Sequence, residues 1–213
     1  METGLVKKLA SKEITKQGLL QKVEQNFDLL PGVLQGVSSP KAAIRYGCAK
    51  VLMDLSEKYP EKLYPYMQTF IELLDSKYRI LIWNTMAILA NLTKIDEDQK
   101  FDAIFDKYYR FLNDEYMVTV ANVVGNSARI ALAKPYLVQR ITAELLKVND
   151  ISLTPHLTAE CKRVIVEHTI KSLNAFFEKI EDKAEVLSFV KGYLNSSRAS
   201  LRKVAQNFLK KWD

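Results

Sequence analysis

The sequence predicts an all-α solenoid of about six helix pairs, forming one repeat domain over residues 1–213. Glycine and proline are scarce, at seven and six residues, whereas β-sandwiches and barrels need frequent turn residues. Leu, Ala, Lys, Glu and Ile recur at the spacing of amphipathic helices. A short polar segment also recurs at intervals of 37 and 38 residues, which is typical of helical repeat proteins.

The recurring segment is a polar turn between the two helices of a pair. It is clearest at residues 37–45 and 194–202, where a basic residue, two small residues, an aliphatic residue and Arg follow the turn in the same order. Residues 74–81 and 112–119 contain related turns. Asp, Asn and Ser side chains in such turns accept hydrogen bonds from the first amides of the next helix. Each turn therefore predicts a helix start.

The second helix of each pair follows this turn and carries apolar residues with a period of 3.6. In chain order, the clearest apolar stripes contain Ile44, Cys48, Val51, Leu52 and Leu55, then Leu81, Ile82, Met86, Leu89 and Leu92, then Val118, Val120, Val124, Ala128 and Ile130, and finally Leu201, Ala205, Phe208, Leu209 and Trp212. We predict second helices over 12–26, 40–58, 77–94, 115–133, 158–179 and 196–212.

The first helix of each pair fills the segment before the turn. We predict first helices over 3–10, 28–37, 61–74, 97–112, 135–148 and 182–194. Pro135 falls in a first turn, where its missing N–H costs nothing, and the acidic run 96–98 offsets the dipole of the helix that it begins. The connection 149–156 is longer than any other, and long loops in compact repeats are often functional.

The pairs Ile44-Arg45 and Leu201-Arg202, each after a polar turn, resemble the signature of the HEAT repeat family. Residues 88–92 and 123–126 are similar to the Asn-bearing helix of armadillo repeats. The resemblance covers nearly the whole chain, although the Arg is absent from the units that contain Ile82 and 164–166. It implies a right-handed α-α superhelix whose second helices line the concave side and hold a partner there.

Positive charge is concentrated on the predicted second helices. They contain 20 Lys and Arg against 8 Asp and Glu, whereas the rest of the chain contains 11 against 17. A basic face attracts an acidic protein segment or a phosphate backbone. The alternative is that the basic side chains coat solvated helix faces, with arginines such as Arg45 and Arg202 paired to neighbouring repeats.

Aligned positions of the second helices supply the candidate binding residues. Aromatic side chains dominate interface energetics, and Asn is unfavourable inside a helix unless its amide has a partner. A ladder of Asn side chains is therefore expected to grip an extended backbone, the alternative being hydrogen bonds to adjacent helices. The candidates are the anchors Tyr46 and Trp83, the amides of Asn84, Asn91 and Asn122, and the basic residues Arg129, Lys162, Arg163, Arg202 and Lys203.

No catalytic, metal or cofactor motif is present. The chain lacks CxxC, HExxH, P-loop, GxGxxG and GxSxG sequences, and we expect no cofactor and no small-molecule substrate. Cys48 and Cys161 are isolated in helical stretches and are interpreted as small core residues. Some HEAT-like proteins of similar length are alkylpurine DNA glycosylases, and Trp83 resembles their aromatic residues, but the helix 77–94 contains no Asp or Glu.

Residues 1–12 lack the apolar stretch of a signal peptide, and no apolar run has the length of a membrane span. We therefore expect a soluble, cytoplasmic protein with no membrane partner. The function predicted is a non-enzymatic scaffold that binds an acidic or extended protein segment on its concave face. Nucleic-acid binding through phosphate contacts on the same face is the first alternative, and a glycosylase-like enzyme is the second.

Overall fold

The computed structural model describes residues 4–213. In these residues all regular secondary structure is helical, apart from one isolated bridge between Thr154 and Leu157. The α-helices are α1 (Gly4–Ala10), α2 (Lys16–Gln25), α3 (Leu30–Gly36), α4 (Ala42–Lys58), α5 (Pro60–Leu63), α6 (Met67–Leu73), α7 (Arg79–Leu92), α8 (Lys100–Ala103), α9 (Phe105–Tyr109), α10 (Met117–Ala133), α11 (Val138–Leu146), α12 (Ala159–Phe176), α13 (Lys183–Lys191) and α14 (Ala199–Trp212).

Short 3₁₀ segments join or extend many of these helices, at Phe27–Leu29, Tyr64–Tyr66, Thr93–Ile95, Arg110–Asn113, Pro135–Leu137, Lys147–Asp150 and Phe177–Lys179. The order of elements matches the six predicted pairs, with α2, α4, α7, α10, α12 and α14 as the second helices. The predicted all-α class is confirmed. The chain divides into two compact units, Met1–Ile104 and Phe105–Asp213, and a single repeat domain stays a prediction.

The second helices are continuous, whereas the first helices are shorter and two of them, those predicted over 61–74 and 97–112, are broken into pieces. The first helix predicted over 61–74 is interrupted by Tyr64–Tyr66, where Pro65 cannot donate a backbone hydrogen bond. The helix predicted from residue 97 begins at Lys100, because the buried carboxylate of Asp96 accepts hydrogen bonds from the amides of Lys100 and Phe101, both at 2.9 Å. These carboxylate contacts replace the first intrahelical hydrogen bonds.

The second helix predicted from residue 12 also begins later. It starts at Lys16, since the hydroxyl oxygen of Thr15 accepts from the amide of Gly18 at 3.0 Å and caps the helix. Lys12 itself has a φ of 61°, which is left-handed backbone and incompatible with a helix interior.

The first unit is packed around α4. Gly36 on α3 lies against Cys48 of α4, and a Cβ at Gly36 would overlap the Sγ of that cysteine. Gly47 lies against Leu9 of α1, where a Cβ would approach the Leu9 Cδ1 to 2.9 Å. Both glycines leave room for a side chain of the neighbouring helix. Cys48 is buried, as predicted, whereas Cys161 in the second unit is half-buried.

The second unit contains three second helices, with α12 in contact with both α10 and α14. Tyr108 and Tyr109 fill its interior, and burial raises the pKa of both phenols. The hydroxyl group of Tyr109 lies 3.1 Å from the Oγ of Ser127 on α10, which satisfies its polar end. Phe177 and Phe208 pack edge to face at 5.0 Å between ring centroids. This aromatic core fixes the spacing of the helices that carry the candidate site.

Candidate functional site

One side of α10, α12 and α14 is polar and accessible. These helices begin at Met117, Ala159 and Ala199, so residues 42 and then 40 positions apart occupy equivalent places. The opposite side of each helix is buried, with Val123, Ile165 and Leu201 fully enclosed. We define the second-helix face of this unit by seven exposed or half-buried residues, which are Asn122, Arg129, Arg163, Lys171, Lys203, Asn207 and Lys211.

A groove of about 290 Å³ lies between α12 and α14 on this face. Ile170, Val204 and Phe208 line its apolar part. Its polar lining consists of Lys171, Asn174, Asn207 and Lys211, with no acidic residue.

Trp212 contacts two residues that line this groove. Its Nε1 donates a hydrogen bond to the Oδ1 of Asn174 at 2.7 Å, and the Nζ of Lys211 lies 4.1 Å from the centre of the indole ring. The indole therefore positions both a groove amide and a groove cation. Because Asn174 accepts from Trp212 through its oxygen, its NH₂ group is turned the other way and is available as a donor.

A cluster of ion pairs connects α12 to the beginning of α14. Arg198 donates through Nε to Glu167 at 3.1 Å and through Nη1 to Glu160. Glu160 also accepts from the Nε of Arg163 at 2.7 Å, and Glu167 accepts from Lys171 and from the hydroxyl of Ser200, both at 2.6 Å. Three of the basic residues in this region are thus partly neutralised within the protein.

Glu167 is the buried member of this cluster, with a side chain only 10% exposed. Burial raises its pKa, but hydrogen bonds from Lys171, Ser200 and Arg198 outweigh this effect and lower the pKa to about 2. The carboxylate therefore remains charged at neutral pH, and it couples α12 to the start of α14.

Arg202 bonds to its own turn, whereas the alternative left open by the sequence was pairing with a neighbouring repeat. Its Nη1 donates to the carbonyl oxygens of Ser196 and Ser197 at 2.6 and 3.1 Å. Arg45 makes the equivalent bonds to the carbonyls of Ser39 and Pro40, at 2.8 and 3.2 Å. In both repeats the Arg after the aliphatic residue closes the preceding turn, so Arg202 is oriented towards its own turn.

Lys162 is similarly engaged. Its Nζ donates to the carbonyl oxygens of Asn149 and Ile151, at 2.6 and 3.2 Å, and so holds the long connection 149–156 against α12. The same connection is tied to the start of α10, because the rings of His156 and Tyr116 stack at 4.3 Å and the Thr154 hydroxyl donates to the Glu115 carbonyl at 2.8 Å. The long loop is therefore an ordered strap within this unit.

The amides on α10 bond within their own helix. The Nδ2 of Asn122 donates to the carbonyl of Val118 at 2.8 Å, and the Nδ2 of Asn126 donates to the carbonyl of Asn122 at 2.8 Å. The Nη1 of Arg129 in turn donates to the Oδ1 of Asn126 at 3.2 Å. Asn122 and Arg129 remain half-buried on the second-helix face, so parts of both side chains are accessible.

The first unit holds the remaining predicted residues. Tyr46, Trp83 and Asn84 are half-buried on α4 and α7. The guanidinium of Arg45 lies 3.6 Å from the ring centre of Tyr78 and 4.7 Å from that of Tyr46, which fixes the Tyr46 ring by a cation–π contact.

Asn91 must be removed from the candidate surface. Its side chain is buried, and its Nδ2 donates to the Oγ of Ser56 on α4 at 2.8 Å. The neighbouring-helix alternative that the sequence left open is therefore the one that describes Asn91. A buried amide cannot reach the backbone of a partner.

Sequence reasoning missed several groove and cluster residues. Lys171, Asn174 and Asn207 line the groove, and Arg198 joins the two glutamates, yet none of them was a predicted site residue. Arg129, Lys171 and Lys211 occupy equivalent positions of three successive second helices. This spacing is the sequence signal that could have identified the two groove lysines. The pairing of Arg198 has no comparable local signal.

Two general features of the described residues, 4–213, bear on the chemistry. No three His, Cys, Asp or Glu side chains among them are grouped so that they could hold a metal ion. Among the same residues, no helix combines the length and hydrophobicity needed to cross a membrane.

Comparison with known proteins identifies the fold. No family model matches the chain, and no curated protein is significantly similar to it. Among solved structures, a designed armadillo repeat protein, YIII(Dq)4CqI, matches with a TM-score of 0.62 and 16% identity, covering 98% of this chain and 90% of that one. A designed armadillo repeat protein in complex with the peptide (KR)4 matches with a TM-score of 0.62 and 13% identity, over 98% and 91% of the two chains.

A third match is a computationally designed armadillo repeat protein for modular peptide recognition, with a TM-score of 0.60 and 16% identity over 91% of this chain and 86% of that one. At these identities the likeness concerns the fold alone. The predicted resemblance to HEAT and armadillo repeats is confirmed at that level. The chain has an all-α solenoid fold of the armadillo/HEAT repeat type.

Proposed function

We propose that this chain is a non-enzymatic scaffold that binds an acidic, extended protein segment on the second-helix face of residues 105–213. The observation that carries the proposal is the groove between α12 and α14, which combines an apolar lining with Lys171, Lys211, Asn174 and Asn207. Apolar side chains of a partner would contact Val204, which is half-buried. Lys211 would receive its carboxylates, since Lys171 is paired with Glu167, and the amides would bond its backbone.

The charge of the groove determines the kind of segment. One of the structurally similar designed proteins is in complex with the basic peptide (KR)4. The groove of this chain is lined by Lys211 and by Lys171, which is paired with Glu167, and no acidic residue of the described part of the chain lines it. Lys203 is exposed on the same face. Binding surfaces of opposite electrostatic potential associate faster and select the partner. An acidic segment is therefore the ligand that matches this groove.

The ion-pair cluster favours a protein over a nucleic acid. Glu160 and Glu167 pair with basic side chains of α12 and Arg198 and so interrupt the positive surface, which then suits a short acidic segment better than a continuous phosphate backbone that needs many cations in succession. Nucleic-acid binding depends on phosphate contacts and weakens steeply with salt. The binding experiment therefore includes a nucleic acid as the alternative ligand.

The test is fluorescence anisotropy with a labelled peptide of alternating Glu and Leu, compared with a labelled DNA duplex. We expect peptide binding that Lys211→Glu weakens by about tenfold or more. Val204→Trp, which fills the groove, should weaken binding without changing charge. Lys183→Glu on α13 is the matched charge control and should leave the affinity within about twofold.

Two results would contradict the proposal. Equal weakening by Lys211→Glu and Lys183→Glu would show that only net charge matters. Tight duplex binding with a steep salt dependence, together with no peptide binding at about 50 mM salt, would favour the phosphate-binding alternative.

A further inference from the structure

A second cleft lies on the first-helix layer of residues 105–213. It has a volume of about 690 Å³ and separates α11 and the 3₁₀ segment Lys147–Asp150 from α13. Leu146, Phe189 and Tyr193 form its apolar and aromatic part, and Asp150 and Glu185 supply carboxylates. No residue of α12 or α14 lines it. It is therefore distinct from the groove described above.

Hydrogen bonds hold the two walls of this cleft together at both ends. At one end, the hydroxyl of Tyr193 donates to the Oδ1 of Asn149 at 2.8 Å. At the other end, the Nε2 of Gln139 donates to the carbonyl of Lys179, and its Oε1 accepts from the amide of Glu181, both at 3.1 Å. These bonds connect the two walls before any ligand binds, which reduces the entropy that binding would cost.

The residues between these two ends leave the cleft open. Ala143, Ser188 and Gly192 lie along its walls, and their small side chains leave the aromatic and acidic groups accessible. Phe189 and Tyr193 pack edge to face at 5.3 Å between ring centroids. The two rings therefore present surfaces in different orientations.

The charge of the cleft is negative. Its one lining cation, Lys147, is paired with Glu144 at 2.6 Å. Asp150 and Glu185 are exposed, and the structure gives neither carboxylate an ion pair within the described residues 4–213. Burial and then the negative charge of Asp150 raise the pKa of Tyr193, so the field of this carboxylate reaches the aromatic end of the cleft.

We propose that this cleft binds a basic protein segment through a Lys or Arg side chain. The aliphatic stem would lie along Leu146, and the cationic group would contact the faces of Phe189 and Tyr193 between Asp150 and Glu185. Carboxylates and aromatic faces both attract cations. The apolar stems of Lys and Arg also pack on apolar surfaces while their charged ends remain solvated. Charge complementarity excludes an acidic segment from this cleft.

The test uses a labelled peptide of alternating Arg and Gly and measures its affinity for the full chain by fluorescence anisotropy. We expect Asp150→Asn combined with Glu185→Gln to weaken binding by about tenfold or more. Ser188→Trp, which fills the cleft without changing charge, should weaken binding to a similar extent. Glu57→Gln combined with Glu178→Gln removes the same number of charges from exposed positions away from the cleft, and should change the affinity by less than about twofold.

The proposal is overturned if the peptide fails to bind at about 50 mM salt, where electrostatic attraction is weakly screened. It is also overturned if the control pair weakens binding as much as the cleft pair. Circular dichroism and thermal unfolding establish that each variant is folded, and the cleft pair replaces only exposed carboxylates, so it tests the proposal even if Ser188→Trp does not fold.

The two sites have separate tests. The cleft pair should leave the binding of the acidic Glu-Leu peptide unchanged, and Lys211→Glu should leave the binding of the Arg-Gly peptide unchanged. Failure of one proposal therefore does not imply failure of the other.

Discussion

The Nδ2 of Asn91 donates a hydrogen bond to the Oγ of Ser56 at 2.8 Å, joining α7 to α4 within the core of the first unit. Ser56 in turn donates to the carbonyl of Met53 at 2.7 Å. A residue that the sequence places on a binding surface is therefore part of a buried polar link between neighbouring repeats. Its contribution is to stability.

Asn91→Ala should lower the free energy of unfolding by about 1–3 kcal/mol, because it removes a buried hydrogen bond and leaves a small cavity. Urea unfolding followed by circular dichroism measures this change. Asn84→Ala, a half-buried neighbour on the same helix, is the control and should change the free energy by less than about 0.5 kcal/mol. Equal effects of the two variants would contradict the role assigned to Asn91.

Glu167→Gln should destabilise the chain at neutral pH by about 1–3 kcal/mol, since the hydrogen bonds from Lys171, Arg198 and Ser200 lose their charged acceptor. The folded pKa of Glu167, about 2, lies below the value of about 4.3 for an unfolded Glu. On acidification the unfolded chain therefore takes up the proton first. The stabilisation is complete above about pH 5 and is lost as the pH falls towards 2.

Urea unfolding of the wild type and of Glu167→Gln at pH 7 and pH 3 checks this prediction. The difference in unfolding free energy between the two proteins should be smaller at pH 3. The exposed Glu178→Gln variant should show no such pH dependence relative to the wild type. A difference that is constant between the two pH values would refute the ionisation argument.

Arg202→Ala should lower the free energy of unfolding by about 1–2 kcal/mol, because two turn carbonyls lose their charged donor. Lys203→Ala is a closely matched control one residue away. Lys203 is exposed, and its removal should change stability by less than about 0.5 kcal/mol while weakening the binding of the acidic peptide. Thermal unfolding and peptide anisotropy measured on both variants separate the structural residue from the surface residue.

Two glycine substitutions should have opposite signs. Gly36→Ala places a methyl group against Cys48 and should destabilise by about 1–3 kcal/mol through overpacking. Gly125 is exposed within α10, with open space where a Cβ would lie, so Gly125→Ala should stabilise by about 0.5–1 kcal/mol through helix propensity. Differential scanning calorimetry of both variants tests the pair, and a destabilising Gly125→Ala would be inconsistent with this packing.

The second helices were predictable because the polar turn and the 3.6 period act locally. Four of them begin within two residues of the predicted start, as for α4 at Ala42 against residue 40. The other two begin later than predicted, α14 by three residues at Ala199 and α2 by four residues at Lys16. The limits of the first helices were harder to predict from the sequence. The start of α8, for example, depends on hydrogen bonds to the carboxylate of Asp96, and these require that Asp96 be buried.

The positive charge of the second helices was readable from the sequence, whereas the arrangement of the groove and of the ion-pair cluster was not. Arg198 pairs with Glu160 and Glu167, which lie 38 and 31 residues earlier in the chain, and only the stacking of one pair on the next brings them together. The groove and the cleft are spaces between successive pairs. Their widths depend on side chains such as Phe208 and on bridges such as Tyr193 to Asn149, which no local pattern specifies.

The contrast between continuous second helices and interrupted first helices affects how the fold tolerates insertions. One added residue rotates everything beyond it in a helix by about 100°. The helix α12 runs unbroken from Ala159 to Phe176. An insertion there would rotate Ile170 and Leu173 out of the core and Lys171 out of the groove. In the interrupted layer the 3₁₀ turns would absorb the shift within a few residues. Length variation among homologous chains should therefore accumulate in the first helices, while the second helices keep a constant phase.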